Sequence, residues 1–434
     1  MDQAPAAEAI TDAALFELRV GALAAGGGCV GRAPDGRVAF VRHAAPGELV
    51  LARVTQDSAH FVRADAVQIL ETSPERVTPA CPHAGPGRCG GCDWQHLSRK
   101  AQRHFKAELL ATQLRRLAGI EREPVVEELP GAPDGLGWRT RVRFAVDRDG
   151  RIGFRRHRSH DIELVEDCPV GLDELRAIAS SLARWRGARE MEITSLGPGS
   201  MPLVAVSTRD GARRRSSNQP TLPVGLSGVG LVIDGRSVAG PDHVVASVHH
   251  RRFRVSAGSF WQVHLAAPTT LVDAVIDALG PREGERAVDL YAGVGLFAAF
   301  LAEAVGERGS VLAVEQDRGA ASDARANLAD LPNVVVRSQR VDPCLLAEHL
   351  GGADLLVLDP PRQGAGLASM QALCALEAPP RRVAYVACDP ASFARDARVL
   401  IDAGWRLGEL RAFDLFPMTE HVELVAVFES ARGT

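Results

Sequence analysis

Polar and apolar positions alternate at period two in five short runs near the start of the chain: residues 17–20, 26–33, 36–44, 47–55 and 59–70. Such alternation marks strands with one face in a core, and the glycine-rich turns between them keep the connections tight. Five strands so spaced predict a small OB-like β-barrel. Ser73, Pro74 and Pro79 interrupt the pattern. A helical period follows over 98–117. A second β-rich stretch of α+β character runs from Trp138 to about Val255. It carries a hairpin signal at Asp149-Gly150 and a helix predicted over 173–186, which Gly187 would stop.

From Ser259 the pattern changes to helices alternating with short apolar runs at 287–290, 310–314, 355–358 and 382–387, with a last strand pair at 409–414 and 422–428. Continuous apolar runs between helices indicate a Rossmann-like parallel sheet covered on both faces. The expected fold class is therefore α/β plus β. It comprises a flexible tail (1–12), a barrel (13–74), a central β-rich domain (75–255) and a C-terminal α/β domain (256–434).

A length of 434 residues suits about three domains at roughly 150 residues each. With 46% apolar and 24% charged residues, the composition is that of a globular chain. The apolar run 290–302 is too short for the roughly 20 residues of a spanning helix. No Lys or Arg precedes Arg19, while Asp2 and Glu8 are acidic, so no secretory leader is read. The expectation is a cytoplasmic protein without a membrane partner or an obligate protein partner, monomeric by default.

Net charge is −4, yet basic residues cluster. Eight arginines lie between 139 and 158 against Asp147 and Asp149. Six basic residues lie between 99 and 116 against Glu108, and Arg213, Arg214 and Arg215 are consecutive, with Arg251, Arg252 and Arg254 nearly so. These clusters fit one positive face toward a polyanion and fit a solvated arginine-rich surface equally well.

The segment 287–295 is a strand leading into Asp289-x-x-x-Gly293-x-Gly295. Glycines there let a ligand approach the backbone closely. Glu315 ends the next strand, where a carboxylate can accept both hydroxyls of a ribose. Acids at the first two strand ends, without the third glycine of the dinucleotide fingerprint, suit S-adenosylmethionine; the alternative is an α/β turn with no ligand. Asp359-Pro360-Pro361-Arg362 follows a later strand and holds a further acid at the same sheet edge.

Cys388 ends another strand at that edge. Carbon 5 of a pyrimidine is a poor nucleophile. A thiolate added at carbon 6 makes the ring an enolate that accepts a methyl group, after which a base must remove the carbon-5 proton. Glu423, in Pro417-Met418-Thr419-Glu420-His421-Val422-Glu423, is the candidate base, with Glu420 and His421 as competitors. A lone strand-end cysteine is more often a small buried hydrophobe; the surrounding acids argue for the chemical role.

Cys81, Cys89, Cys92 and Cys168 form C-x7-C-x2-C with a distant fourth. Four thiolates match a tetrahedral zinc or a [4Fe–4S] cluster, and the wide first gap favours iron–sulfur.

Together these motifs resemble the RNA 5-methyluridine methyltransferase family along almost the whole chain. The resemblance implies that residues 13–74 form a TRAM domain and that Cys81, Cys89, Cys92 and Cys168 hold a [4Fe–4S] cluster. Ser259-Phe260-Trp261-Gln262-Val263-His264 is similar to the family's Ser-Phe-x-Gln-x-Asn, which implies that Gln262 reaches the methyl donor. Tyr291, Gly293, Glu315 and Asp359 stand at donor-binding positions. Ala387-Cys388-Asp389-Pro390 is similar to Ser-Cys-Asn-Pro, and 417–423 to Pro-x-Thr-x-His-x-Glu; the resemblance makes Cys388 the nucleophile and Glu423 the base. Departures are His264 and Asp389 for Asn, Leu296 for a donor-contacting Asn, and Gln339-Arg340 where an Asp or Asn is expected, with Asp342 nearby. The implied activity is S-adenosylmethionine-dependent methylation of carbon 5 of a uridine in structured RNA, tRNA or 23S rRNA. The rivals are a methyltransferase acting on a ring or exocyclic nitrogen, and a non-catalytic RNA-binding iron–sulfur protein. The barrel and the 139–158 hairpin are expected to hold RNA, with Trp138 and Phe154 as candidate stacking platforms and core packing the commoner fate of Phe154.

Overall fold

A computed structural model describes residues 14–182, 184–197, 199–209 and 228–430. The expected tail at 1–12 and the triplet 213–215 lie outside these residues. The chain divides into two compact units. One contains residues up to 105 with 156–159 and 418–420; the other contains the remainder.

In the first unit, β1 (Leu15–Arg19), β2 (Cys29–Arg32), β3 (Val38–Arg42), β4 (Leu49–Asp57) and β5 (Phe61–Glu71) form one sheet in the order β1-β4-β5-β3-β2. Past β1, the Gly21 N–H donates to the Val30 carbonyl (2.7 Å) and the Val30 N–H to the Ala22 carbonyl (2.9 Å). These bonds join the two ends of the sheet and curl it into the expected barrel. Its core is built from small side chains: Val41, Val50 and Val62 with Ala39, Ala52 and Ala64. At Gly31 a Cβ would lie 2.6 Å from Leu18 Cδ1, so a larger residue there would have to move the Leu18 side chain. The buried Glu48 carboxylate accepts from the N–H groups of Ala45 and Ser73 and from the Arg76 guanidinium (2.6 Å). That clamp ties the barrel to the segment after the breaker residues.

Helix α1 (Arg99–Gln113) ends in a π turn over Leu114–Ala118, stopped by the left-handed Gly119. In the second unit, β6 (Val126–Glu128) precedes β7 (Arg141–Val146), β8 (Ile152–Arg155) and β9 (Ile162–Leu164). Helix α2 (Asp173–Ser181) leads to β10 (Ala188–Thr194), β11 (Leu203–Thr208), β12 (Gly230–Ile233) and β13 (Arg236–Ala239). These strands form a sheet of order β13-β12-β11-β10-β7-β8-β9. The Asp149-Gly150 hairpin is present, with Gly150 at φ +86°. Helix α2 is shorter than expected: it ends at Ser181, because the Trp185 N–H donates to the Gly150 carbonyl (2.7 Å) instead of continuing the helix.

The hairpin β14 (His243–Val248) and β15 (Arg251–Ser256) precedes α3 (Ala267–Leu279). Then follow β16 (Arg286–Leu290), α4 (Leu296–Val305), β17 (Ser310–Glu315), α5 (Arg318–Asn327), β18 (Val334–Ser338) and α6 (Pro343–His349). The series ends with β19 (Leu355–Leu358), α7 (Leu367–Cys374), β20 (Arg382–Ala387), α8 (Pro390–Asp402), β21 (Arg406–Asp414) and β22 (Glu423–Glu429). The large sheet has the order β18-β17-β16-β19-β20-β22-β21-β6. Its first five strands are parallel, and β22 is antiparallel to both neighbours. Two apolar cores cover its faces, one including α3 and α4, the other α6, α7 and α8. The order reverses at β16, leaving a crevice at the carboxyl ends of β16 and β19, where α/β sheets bind ligands. No described helix is long and apolar enough to cross a membrane.

Ahead of the segment that carries Glu423, the fully buried Lys106 ammonium donates to Asp414 (2.6 Å) and to the Phe416 carbonyl (3.0 Å). Removing one member of a buried pair strands the other charge, at about 3–5 kcal/mol. Asp414→Ala should lower the urea midpoint accordingly, and the double change Lys106→Met, Asp414→Leu should recover most of the loss. A single-variant loss under about 1 kcal/mol, the scale of an exposed pair, would contradict this.

Candidate active site

The turn after β16 departs sharply from extended backbone. Tyr291, Gly293 and Gly295 all take positive φ, at +64°, +54° and +91°. Gly295 also has no room for a side chain, since a Cβ would meet Leu328 at 2.8 Å. The Gly293 N–H donates to Glu315 Oε2 (2.9 Å), and the Asp317 N–H to Glu315 Oε1 (2.7 Å). The carboxylate at the end of β17 is thereby pinned beside the glycine turn. A cavity of about 460 Å³ opens there, walled by Tyr291, Gln316, residues 340–343, Pro361 and residues 363–369.

Asp289, the penultimate residue of β16, is fully buried. Its Oδ2 accepts from the Ala298 N–H (2.9 Å), while Oδ1 has no hydrogen-bond partner. Burial, with the charges of Asp359 and Glu315, pushes its carboxyl well above the usual range. A buried carboxylate with an orphaned oxygen is a place short of a cation.

Strand order assembles the rest. β20 lies between β19 and β22, with Leu358 opposite Tyr385 and Ala387 opposite Leu424. Asp359, Cys388 and Glu423 therefore emerge at one edge on three adjacent strands. The Cys388 thiol is pushed up to about 12, by burial first and then by the Glu423 charge, with Arg362 opposing. Glu423 is buried, and its carboxyl is driven well above its usual range by desolvation and Asp359, again with Arg362 opposing. Desolvation lifts Asp359 to about 7. His421 is pushed down to about 4, by burial first and then by Arg362 and Lys106, so its ring is neutral at pH 7. Asp389 caps α8, accepting from the Ser392 N–H (2.7 Å).

The structure thus brings together Asp289, Gly293, Glu315, Asp359, Cys388 and Glu423, with Tyr291 in the cavity wall. Gln262 is buried on a segment fixed from several sides. The Ser259 hydroxyl donates to Asp323 (2.9 Å), Arg141 to the Ser259 carbonyl (2.7 Å), and the Thr140 N–H to the Val263 carbonyl (2.8 Å). Glu420, a competitor of Glu423 for the role of base, belongs to the other unit, where it accepts from the Gly26 N–H (2.6 Å). Trp138 corrects the expectation of a stacking platform: it is buried, its ring stacked on His264 at 5.7 Å. Phe154 packs on Phe144 at 4.9 Å. Arg362 was read only as the fourth residue of its turn; its charge acts on both Cys388 and Glu423. Its place after Asp359-Pro360-Pro361 was the available signal.

Cys81 is buried, and Cys89 and Cys92 are half-exposed, all three in the first unit; Cys168 lies in the second. None of the four is in a disulfide. Among the described residues no group of three or more His, Cys, Asp or Glu side chains is arranged to hold a metal ion.

Residues 15–67 match the TRAM domain. The chain is 46% identical to an uncharacterised RNA methyltransferase of Streptomyces coelicolor, over 96% of this chain and 93% of that one. It is 34% identical to the 23S rRNA (uracil(1939)-C(5))-methyltransferase RlmD of Pseudomonas putida, over 91% and 90%. The chain belongs to the RNA uracil-C5 methyltransferase family. The fold agrees: the structure of Pyrococcus abyssi tRNA (uracil-54, C5)-methyltransferase with S-adenosyl-L-homocysteine superposes at a TM-score of 0.71, with 24% identity, over 95% of this chain and 100% of that one. The family's methyltransferase fold is therefore the large sheet described above, and its TRAM domain is the curled barrel.

The Asp359 carboxyl, near 7 when folded and about 4 when unfolded, fixes the sign of a pH effect. Between those values the folded chain holds the proton more tightly, so stability falls as pH rises from about 4 to about 7. Asp359→Asn does not titrate there. Its melting temperature should gain on the wild type between pH 4 and pH 8; a constant difference would count against the assignment.

Proposed function

We propose that this chain uses S-adenosylmethionine to methylate carbon 5 of a uridine in 23S rRNA, with Cys388 as nucleophile and Glu423 as base. The observation that carries this reading is the placement of a thiol and a buried carboxylate on adjacent strands, at the sheet edge that also carries Asp289 and Asp359. The 23S rRNA is favoured over tRNA because the RlmD relatives share 31–34% identity along most of the chain, whereas the tRNA enzyme supports the fold.

Asp289, the Gly293 turn, Glu315, Tyr291, Asp359 and Gln262 would hold the donor. The unpartnered Asp289 oxygen and the acids around it fit a cationic ligand, and Glu315 fits a ribose diol. When bound, the donor supplies an electrophilic methyl group on a sulfonium. The Cys388 thiol gives its proton to solvent, its sulfur bonds to carbon 6 of the uracil, and the π electrons between carbons 5 and 6 move to carbon 5, which would take the methyl of a bound donor while the S–CH3 electron pair stays on the donor sulfur. Arg362 faces both the sulfur and Glu423, and it favours their ionised forms. Once carbon 5 carries the methyl, Glu423 takes the proton from that carbon, and the electron pair expels the Cys388 sulfur. The burial that raises Glu423 also makes its ionised form a stronger base toward a carbon-bound proton. The uracil must leave its stack to meet the thiol.

RNA is held by phosphate and stacking contacts. Arg63 lies over the rings of Phe40 (5.7 Å) and Phe61 (5.2 Å) on the barrel, with the charge of Arg158 close by. The barrel at 13–74, the central domain at 75–255 and the domain at 256–434 act as RNA-holding, cysteine-bearing and catalytic parts of a cytoplasmic enzyme. Cys81, Cys89, Cys92 and Cys168 offer the soft thiolate set that suits a [4Fe–4S] cluster.

Release of tritium from [5-³H]uridine-labelled 23S rRNA tests the chemistry. Cys388→Ala should abolish it, and Glu423→Gln should slow it by about 10²–10⁴-fold; full turnover by Cys388→Ala would overturn the mechanism. Protein purified without air should carry about four iron and four sulfide per chain, lost in Cys92→Ser. Zinc in place of iron would contradict the cluster.

A further inference from the structure

The loop that follows Asp359-Pro360-Pro361 forms one wall of the cavity, yet it contributes no regular structure of its own before α7. Its shape is imposed by α8, the helix that begins directly after Cys388 and Asp389. Asp396, two turns into α8, is buried. A single oxygen of its carboxylate, Oδ2, accepts three hydrogen bonds: from the Tyr385 hydroxyl (2.6 Å), the Ala365 N–H (2.8 Å) and the Gly366 N–H (3.2 Å). The Tyr385 oxygen in turn accepts from the Ala365 N–H (3.1 Å). One turn earlier, the Ser392 hydroxyl donates to the Arg362 carbonyl (2.6 Å). Gly364 sits at φ +85°, and a Cβ there would come within 2.6 Å of Asp396 Oδ2.

These contacts have a specific consequence. Tyr385 is on β20, three residues before Cys388, and is fully buried. Burial and the adjacent Asp396 charge hold its phenol protonated, so it remains a donor. The strand that ends in the thiol, the helix that follows it, and the cavity loop therefore meet at one carboxylate oxygen. Tyr291, which also lines the cavity, feels the Asp396 charge. A surface loop tied only by its own turns would not need a buried acid; hydrogen bonds to a charged group are the stronger kind.

We propose that Asp396 and Tyr385 are positioning residues that lock the donor-pocket wall at 362–366 to the strand and helix flanking Cys388, so that donor affinity depends on a staple with no contact to the RNA. The inference rests on the donor-site reading above.

Calorimetry with S-adenosylmethionine on the full chain, paired with filter binding of transcribed 23S rRNA, tests it. Asp396→Asn keeps the side-chain shape but loses the charge and one acceptor, and should weaken donor binding about tenfold. Tyr385→Phe keeps the ring in the core, so it folds, and should weaken donor binding severalfold. RNA affinity should stay unchanged in both. Hydrogen exchange at the Ala365 and Gly366 amides should accelerate in both variants without a matching change across β16 and β17. Folded variants that bind the donor within twofold of wild type, or that lose RNA and donor binding in parallel, would overturn the inference. Failure of the wild-type chain itself to bind the donor would overturn the donor-site reading and the staple with it.

Discussion

Desolvated negative charge at one edge of a parallel sheet is the constraint on which the site depends. Asp289, Asp359 and Glu423 leave β16, β19 and β22 at the same edge, because β22 runs antiparallel and begins where its neighbours end. Burial raises all three, and the charge of Arg362 opposes the rise at Glu423 and at the neighbouring Cys388 thiol. Such a cluster is costly for the empty fold, since each ionised carboxyl lacks full compensation. The thiol shares this environment, and burial with the Glu423 charge holds it neutral at rest.

Much of this was legible in the sequence because it depends on local period and on strand-end chemistry. The five barrel strands and the alternating α/β pattern carry their own periodicity, and the acids sit where each strand must end. What was not legible depends on distant pairing. β6 is three residues long and joins the large sheet by pairing with Ala412, Phe413 and Asp414; no local pattern announces it. The helix predicted over 173–186 stops early because Trp185 finds a backbone partner at Gly150. Trp138 reads as an exposed aromatic beside arginines, but His264, far along the chain, covers its ring. Arg362 belongs to no period at all, and only the sheet order shows which groups it faces.

The first unit follows a different rule. Its barrel has a narrow core of alanine and valine, and the Glu48–Arg76 clamp holds its end in place of a large apolar interior. In the same unit the 418–420 segment is fixed by polar contacts: Gln102 accepts from the Met418 N–H (2.9 Å), and the Trp94 N–H donates to the Met418 carbonyl (3.0 Å). The Met418 N–H is thereby satisfied by a side chain and its carbonyl by a backbone N–H, partners that no local pattern announces. Asp414, which ends the strand before Glu423 in the chain, is held by the buried Lys106 ammonium.

The most direct test of a transient bond between sulfur and nucleobase uses RNA carrying 5-fluorouridine. Fluorine cannot leave carbon 5 as a cation, so elimination is blocked after methyl transfer. With S-adenosylmethionine and protein prepared without air, a covalent protein–RNA adduct should accumulate and map by mass to Cys388. Methylated RNA with no adduct, or an adduct on another residue, would contradict the account.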